Sequence, residues 1–332
     1  MLLSDYRQLF RQYVTQTASF YDIHEEYVEK DYWLVLLLKH ILFRDCGYIF
    51  KGGTSLSKCY HLINRFSEDI DISYKDDYHS LGPSPLDKKF KGITRSIKEV
   101  GLELQNTNKL RRNSYFNRFI CKYDSLFDDN QIKKDVVIEL AGQTPSFPSI
   151  KKPIQSFIGE YLDEIGRHDL TEQFGLEQFE VEVQSLERTL VDKTFAICDY
   201  YLSNKSNERS RHIYDIHKIL PLVKLDKSII ELFERVRKYR VNNPICYSSS
   251  ANNKLGKILE SIIDEDFYKS DYETNTKYLL YKTFKYNECI ETLKILRDFL
   301  IANNYWQKKT LQKFAIIWYR LKTIFFKLLI FI

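Results

Sequence analysis

The chain has 332 residues, of which 44% are hydrophobic and 29% are charged. This composition is ordinary for a globular protein and argues against a disordered chain, so one or two folded domains are expected. The net charge of +5 permits a nucleic-acid partner, although Lys-rich coding would give the same value. Six scattered cysteines without a CxxC pair indicate neither a disulfide framework nor a zinc site.

Both ends of the chain argue against membrane insertion. The N-terminal sequence MLLSDYRQLFRQYV is broken by charges too early for a signal peptide. The apolar segment 314–332 is interrupted by Arg320, Lys322 and Lys327, which disfavours a spanning helix. A core-packed terminal helix and a surface amphipathic helix both remain open for it. We expect a cytoplasmic protein without integral membrane association.

Two helices, over residues 3–20 and 25–43, are predicted before the first strand. The second helix begins with acidic residues and continues as an apolar stripe, as expected of a helix that enters a core. Its residues Glu29, Lys30 and Asp31 either brace a functional site or lie in a solvated first turn.

Residues 48–73 (YIFKGGTSLSKCYHLINRFSEDIDIS) predict a strand, a tight turn, a short helix over 54–63 and a second strand. Gly52 and Gly53 allow the backbone to turn sharply and to approach a ligand closely. The helix that follows begins at Thr54 and Ser55, and its unpaired N–H groups favour phosphate. The Ser55 hydroxyl either contacts phosphate or caps the helix.

Asp69 and Asp71 alternate with two isoleucines on the second strand, which places both carboxylates on one face. Two like charges at this spacing favour a hard divalent cation, and Mg²⁺ usually keeps substrate phosphates as further ligands. DxD pairs also occur in dehalogenase-type phosphatases and glycosyltransferases, but the glycine turn upstream argues against both classes. Arg65, before this strand, either binds a triphosphate, holds the carboxylates or lies on the surface.

Further along, a helix over 88–100 and strands over 102–106, 114–123 and 132–141 are predicted. Glu139 lies in the last of these apolar strands, where an acid is costly unless it is paired or bound to metal.

The proline-rich segment 144–153 (TPSFPSIKKP) predicts a domain boundary, with domains over 1–145 and 154–332. The second domain reads as mainly helical, with one strand-like run at 179–184. Lys193 lies on the apolar stripe of a helix over 185–202, where it either snorkels outward or meets a buried anion.

A helix over 209–220 carries Asp215 between His212 and His217, but a metal site on one helix face without further ligands is disfavoured. Basic residues between 224 and 240 form either an RNA-binding surface or a solvated helix face. They are Lys224, Lys227, Arg235, Arg237, Lys238 and Arg240.

The motifs KGGTSL and RFSEDIDI resemble the AbiEii/AbiGii-type nucleotidyltransferase toxins of the DNA polymerase β-like superfamily. Lys193 and Ala196 match the family's K-x-x-A, and RHIYDI at 211–216 is similar to its R-D-I-Y-D-L, with His212 in place of the acid. The resemblance implies an α/β (α+β) fold with a mixed-sheet nucleotidyltransferase domain. It also implies a mainly helical C-terminal domain that contributes Lys193 and Asp215 to the cleft.

By the same resemblance, Asp69, Asp71 and Glu139 hold Mg²⁺ (or Mn²⁺), although a salt-bridged edge-strand role for Glu139 stays open. Lys193 stabilises the leaving charge and Asp215 orients or deprotonates the acceptor. The expected nucleotide-binding residues are Gly52, Gly53, Thr54, Ser55, Lys58 and Arg65.

The implied reaction transfers a nucleoside monophosphate from an NTP to an acceptor hydroxyl, foremost a tRNA 3′ end. The implied biological role is that of the toxin in a toxin–antitoxin or phage-defence pair, with an antitoxin encoded nearby. Two alternatives remain: modification of a protein acceptor, and a nucleotide-binding module without turnover.

Overall fold

The computed structural model describes five stretches of the chain, namely residues 1–76, 80–112, 114–127, 132–142 and 144–303. The apolar segment 314–332 lies outside them. Contacts divide the chain into two compact units, Met1–Thr189 with Tyr278–Thr283, and Leu190–Lys277 with the described residues from Phe284 onward. No helix within the described stretches is long and apolar enough to cross a membrane.

The first unit begins with the two helices that its sequence predicts, followed by four more. They are α1 (Arg7–Tyr21), α2 (Glu25–Arg44), α3 (Gly52–Lys58), α4 (Pro83–Glu99), α5 (Phe157–Glu164) and α6 (His168–Phe174). The helix after the glycine pair is shorter than predicted, because the residues after Lys58 form a turn and loop that lead into the next strand.

The strands described in this unit form one mixed sheet with the order β3-β4-β5-β2-β1-β7-β6. Their bounds are β1 (Tyr48–Lys51), β2 (Asp69–Tyr74), β3 (Glu103–Leu104), β4 (Phe116–Lys122), β5 (Asp135–Ala141), β6 (Ser149–Ile154) and β7 (Phe179–Gln184). The β2–β5 and β1–β7 pairs are parallel and the others are antiparallel. This confirms the predicted α/β class with a mixed sheet.

The two faces of the sheet differ in burial, as the alternation in β2 predicts. Ile70 and Ile72 are completely buried in a core that also contains the apolar side chains of α2 and α4. On the opposite face of the neighbouring strands β2 and β5, Asp69, Asp71 and Glu139 are only half-buried. The fold therefore keeps three carboxylates on one side of adjacent strands.

The boundary expected at residues 144–153 does not coincide with the division between the units. Residues 149–154 form β6, which pairs with β7 at the edge of the sheet, and the contacts divide the chain after Thr189 instead. A proline such as Pro153 is tolerated in an edge strand, because the N–H that it lacks is not needed by an outer neighbour. Proline content here marks a turn and an edge strand.

The second unit is mainly helical, as predicted. Its elements are α7 (Leu186–Leu202, from Leu190 onward), α8 (Arg211–Ile219), α9 (Lys227–Arg240), α10 (Leu255–Asp264), α11 (Lys269–Asp271), a π-helical turn (Tyr272–Thr276) and a helix over residues 286–303. Its core contains completely buried apolar side chains from α7, α8 and α10, among them Phe195, Ile213 and Leu259.

Candidate active site

The turn between β1 and α3 depends on a glycine at position 52. Gly52 has a φ of +78°, which side-chain-bearing residues rarely adopt. A β-carbon there would lie 1.9 Å from Oδ2 of Asp71 and 2.6 Å from its Cγ. The absence of a side chain therefore lets the Asp71 carboxylate lie directly against the turn. The close approach of a ligand to Gly52 and Gly53 stays a prediction.

Four charged residues form one row across adjacent strands of the sheet. Asp71 is in register with Lys51 of β1 on one side and with Glu139 of β5 on the other. Glu139 is also in register with Arg118 of β4, whose Nε lies 3.3 Å from Glu139 Oε1. Glu139 therefore has the salt bridge that the edge-strand interpretation requires. It also has the position beside Asp71 that the metal-binding interpretation requires.

The carboxylates of Asp69, Asp71 and Glu139 suit a hard divalent cation in chemistry and in placement on one face. The Asp71 carboxylate occupies the place that a β-carbon at position 52 would take, so its oxygen lies at the turn. In the part of the chain that the structure describes, however, no three His, Cys, Asp or Glu side chains converge into a metal-binding group. Metal ligation by these residues stays a prediction.

The hydroxyls of Thr54 and Ser55 are both buried and hydrogen-bonded, that of Thr54 to the start of β2 and that of Ser55 within the turn. Thr54 Oγ1 donates to the Asp69 carbonyl at 2.6 Å and lies 3.0 Å from Ser67 Oγ. Ser55 Oγ donates to the Gly52 carbonyl at 2.9 Å. These bonds join the turn to the start of β2, so the two hydroxyls fix its shape; a phosphate contact from either remains untested.

Arg65 and Ser67 lie against the second glycine of the pair. A β-carbon at Gly53 would be 2.6 Å from Arg65 Nη2 and 2.7 Å from Ser67 Oγ. Arg65 is only 3% exposed and donates from Nη1 to the Phe66 carbonyl at 3.0 Å, so the surface alternative for Arg65 is wrong. Ser67 was not predicted as a site residue, although a hydroxyl two positions before Asp69 could have suggested it.

The charged residues at the start of α2 are buried, which overturns the solvated-turn alternative. Asp31 Oδ1 lies 2.9 Å from Lys58 Nζ, and its Oδ2 accepts a hydrogen bond from the Phe157 N–H at 2.7 Å. Burial raises the pKa of Asp31, while the Lys58 ammonium opposes that rise. Lys30, which is 2% exposed, pairs with Glu68 directly before β2. The α2 charges therefore tie this helix to the loops around the glycine turn.

Lys58 is engaged with acidic residues. Besides Asp31, its Nζ lies 3.6 Å from Glu160 Oε1 and 3.8 Å from the centre of the Phe157 ring. The side chain borders a cavity of about 200 Å³ that Arg65 also lines; Gly52, Asp69 and Asp71 are not among its lining residues. Lys58 supplies the cation that the buried Asp31 requires. The phosphate contact expected of Lys58 stays a prediction.

In the second unit, Lys193 and Asp215 come together as a buried ion pair. Lys193 Nζ lies 2.6 Å from Asp215 Oδ2, which joins α7 to α8, and Asp215 is completely buried. The buried-anion interpretation of Lys193 is therefore confirmed. His217 Nδ1 lies 2.7 Å from Thr292 Oγ1, while the His212 ring stacks on Tyr200 with centroids 5.9 Å apart. Neither geometry supports a metal site on α8.

Of the six basic residues between 224 and 240, Arg237 and Arg240 are half-buried and the other four are exposed. Arg240 Nη2 lies 2.5 Å from the Asp199 carboxylate, and Arg237 Nη1 donates to the Asn253 carbonyl at 3.3 Å. These two side chains are therefore held by the unit's own structure. Lys224 and Lys227 are highly exposed, each at 88%.

Three comparisons with known proteins complete this description. A family model described as nucleotidyl transferase AbiEii toxin, type IV toxin–antitoxin system, matches residues 36–291. No curated protein matches the chain. Among solved structures, the crystal structure of JHP933 from Helicobacter pylori is 17% identical, with a TM-score of 0.43 over 86% of this chain and 98% of that chain.

Proposed function

Because the chain belongs to the AbiEii family of nucleotidyl transferase toxins of type IV toxin–antitoxin systems, we propose that it transfers a nucleoside monophosphate from an NTP to an acceptor hydroxyl. The acceptor oxygen attacks the α-phosphorus, the bond to the β-phosphate oxygen breaks, and pyrophosphate leaves. The proposed acceptor is RNA, with a tRNA 3′ end as its main candidate. An antitoxin encoded nearby is the proposed protein partner.

One observation carries the proposal most directly: the Asp71 carboxylate lies against Gly52 and stands in register with Glu139. A backbone turn without a β-carbon allows phosphate oxygens and a carboxylate to approach the same point. Residues in adjacent strands are about 5 Å apart, so the two carboxylates can share a ligand. Such juxtaposition suits a reaction whose substrate is a polyphosphate.

Asp69, Asp71 and Glu139 are the residues proposed to hold Mg²⁺ (or Mn²⁺). When bound, the ion neutralises phosphate charge and lowers the pKa of the acceptor hydroxyl. The protein itself limits the repulsion among these acids, because Arg118 lies beside Glu139 and Lys51 is in register with Asp71. The hydrogen bonds of Thr54 keep the turn and the first residue of β2 together.

We extend the proposal to Lys193 and Asp215 on the basis of the family resemblance. The Lys193 ammonium offsets the charge that develops on the departing pyrophosphate. Asp215 holds that ammonium in place, and its carboxylate orients or deprotonates the acceptor hydroxyl. For Lys58, the contacts with Asp31 and Glu160 favour a positioning role, in which it holds α3 against α2 and α5.

The test incubates the purified protein with Mg²⁺, total tRNA and each α-³²P-labelled NTP in turn, alongside Asp71→Asn. We expect label on tRNA from at least one NTP and its loss in the variant. Asn keeps the shape and one acceptor oxygen but removes the charge. The folded state of both proteins is checked by thermal unfolding.

The same assay separates the alternatives. Label on a protein band would replace the RNA acceptor with a protein acceptor. Binding of NTP without label on any acceptor would favour a module without turnover.

A further inference from the structure

The segment around β4 combines exposed basic and aromatic residues. Residues 105–123 contain five basic residues and no acidic one. Tyr115 is 48% exposed and Phe116 is 45% exposed, so two neighbouring aromatic rings are accessible where β4 begins. With the exposed basic side chains they form what we call the β4 edge surface: Lys109, Arg111, Arg112, Tyr115, Phe116 and Arg118.

The edge of β4 is closed to further strands but its side chains are left accessible. β3 pairs only with the end of β4, through Glu103 with Lys122 and Leu104 with Cys121. Along the part of β4 that precedes this pairing, the Asn106 side-chain amide donates to the Arg118 carbonyl at 2.7 Å and accepts from the Ile120 N–H at 3.0 Å. This side-chain cap occupies backbone groups that would otherwise template strand addition.

The basic loop is held in place by the strand that it precedes. Asn117 is 4% exposed, and its side chain accepts from the Arg111 N–H at 2.9 Å and donates to the Arg111 carbonyl at 2.8 Å. The backbone at Arg111 is thereby fixed while its guanidinium stays exposed. Arg112 lies 3.4 Å from Asp87 but remains 64% exposed. Binding an anion here requires little ordering of the loop.

The surface continues into the row of carboxylates. Phe116 and Arg118 lie on the same face of β4, and Arg118 contacts Glu139 of β5. β2, which carries Asp71, is the next strand. Asp71 is two strand spacings across the sheet and two residues along it from Phe116, or about 12 Å away. A chain that lies across Phe116 can therefore place its end beside the acids.

We propose that the β4 edge surface binds the single-stranded 3′ end of the acceptor RNA, an inference that rests on the proposed function. Bases stack on Phe116 and Tyr115, and phosphates contact Lys109, Arg111 and Arg112. A double-stranded RNA would present few unstacked bases to these rings. The surface combines exposed aromatic faces with positive charge that acids among the described residues offset only at Arg112 and Arg118. This combination selects a flexible nucleic-acid strand.

The experiment measures fluorescence anisotropy of a labelled single-stranded RNA oligonucleotide ending in CCA, without NTP, over a range of salt concentrations. Tyr115→Ser with Phe116→Ser is expected to weaken binding by about 10-fold or more at every salt concentration, since each stacked base is lost. Arg111→Gln with Arg112→Gln is expected to reduce the slope of log affinity against log salt by about 1.4, or about 0.7 for each phosphate contact.

Two matched controls lie elsewhere on the chain. Phe43→Ser removes another exposed ring, at 68% exposure, and Lys224→Gln with Lys227→Gln removes two exposed charges from the rival basic surface. Both controls should bind the oligonucleotide like the wild type. The inference is overturned if the β4 variants bind normally, if the lysine pair carries the salt dependence, or if a duplex binds equally well.

Binding without turnover also separates this inference from the proposed function. A wild type that labels tRNA, with an unchanged KM for RNA in the β4 variants, would overturn the binding surface and leave the transferase intact. Oligonucleotide binding that depends on the β4 residues, without transfer from any NTP, would support the binding surface and overturn the proposed transferase activity.

Discussion

Asp71 lies directly against the α-carbon of Gly52, so closely that a β-carbon at position 52 would be 1.9 Å from its Oδ2. The contact links the glycine turn to the strand that carries both aspartates. Position 52 requires a glycine for two reasons. Its φ is +78°, and the Asp71 carboxylate occupies the place of a β-carbon.

Gly52→Ala should therefore lose transfer activity by about 100-fold or more, because Asp71 must move and small misplacements of reacting groups have effects of that size. Its backbone strain should lower stability by about 1–2 kcal/mol. The assay is labelled-nucleotide transfer together with urea unfolding.

Gly101→Ala is the matched control for Gly52→Ala. Gly101 has the same φ of +78°, but nothing lies within 4 Å of a β-carbon there. It should show a similar loss of stability with normal transfer. Equal activity losses in both variants would mean that strain alone, and not the contact with Asp71, explains the effect.

The Lys193–Asp215 pair allows structure and chemistry to be separated. Lys193→Met or Asp215→Asn leaves one charge buried without its partner, which should cost about 3–5 kcal/mol of unfolding free energy. The double variant should recover much of that loss. If the pair acts in the reaction, however, transfer should be absent from the double variant as well as from the single ones. Restored activity in the stable double variant would assign the pair a structural role only.

For Lys58 we expect a structural role, so that a stable double variant should keep its function. Lys58→Met should destabilise the protein by about 3–5 kcal/mol, because Asp31 is then buried without its cation. Adding Asp31→Asn should restore part of the stability and keep NTP binding close to that of the wild type. NTP binding is measured by equilibrium dialysis. A stable double variant that binds NTP more than about 10-fold more weakly would return Lys58 to the phosphate-binding role.

The raised pKa of Glu160 predicts how the stability of the protein depends on pH. Burial raises its pKa above the usual 4.5, opposed by Lys58 and assisted by Asp31. The folded protein therefore holds the Glu160 proton more tightly than the unfolded chain. Glu160 contributes most to stability in its protonated state, and that contribution falls as pH rises from about 4.5 through the folded-state pKa.

Relative to the wild type, Glu160→Gln should accordingly gain stability as the pH rises from about 4.5 through the folded-state pKa of Glu160. Carboxylates with a lowered pKa, such as Asp163 and Glu182, titrate in both proteins, so their contributions to the pH dependence cancel in the difference. The measurement is the difference in unfolding free energy at each pH. A constant difference, or a loss by the variant on raising pH, would contradict the assigned direction.

Local patterns in the sequence determined much of this protein. The alternation of Asp69 and Asp71 with two isoleucines was enough to predict a half-buried strand face, because side chains alternate with a period of two. The glycine pair predicted the turn, because a residue with positive φ and close contacts has few substitutes. The position of Lys193 on an apolar stripe left two interpretations, an ammonium that snorkels outward and one that meets a buried anion, and the structure supplies the anion as Asp215.

Only the tertiary structure decided which distant residues meet. The register that places Glu139 beside Asp71, the partner of Lys58 and the membership of β6 in the sheet all depend on contacts between segments far apart in the chain. Charge and proline content report a residue's local preference. Charge does not predict that a lysine will pair with a buried acid such as Asp31, and proline content does not predict that a segment will form an edge strand. Such pairings are set by packing across the whole fold.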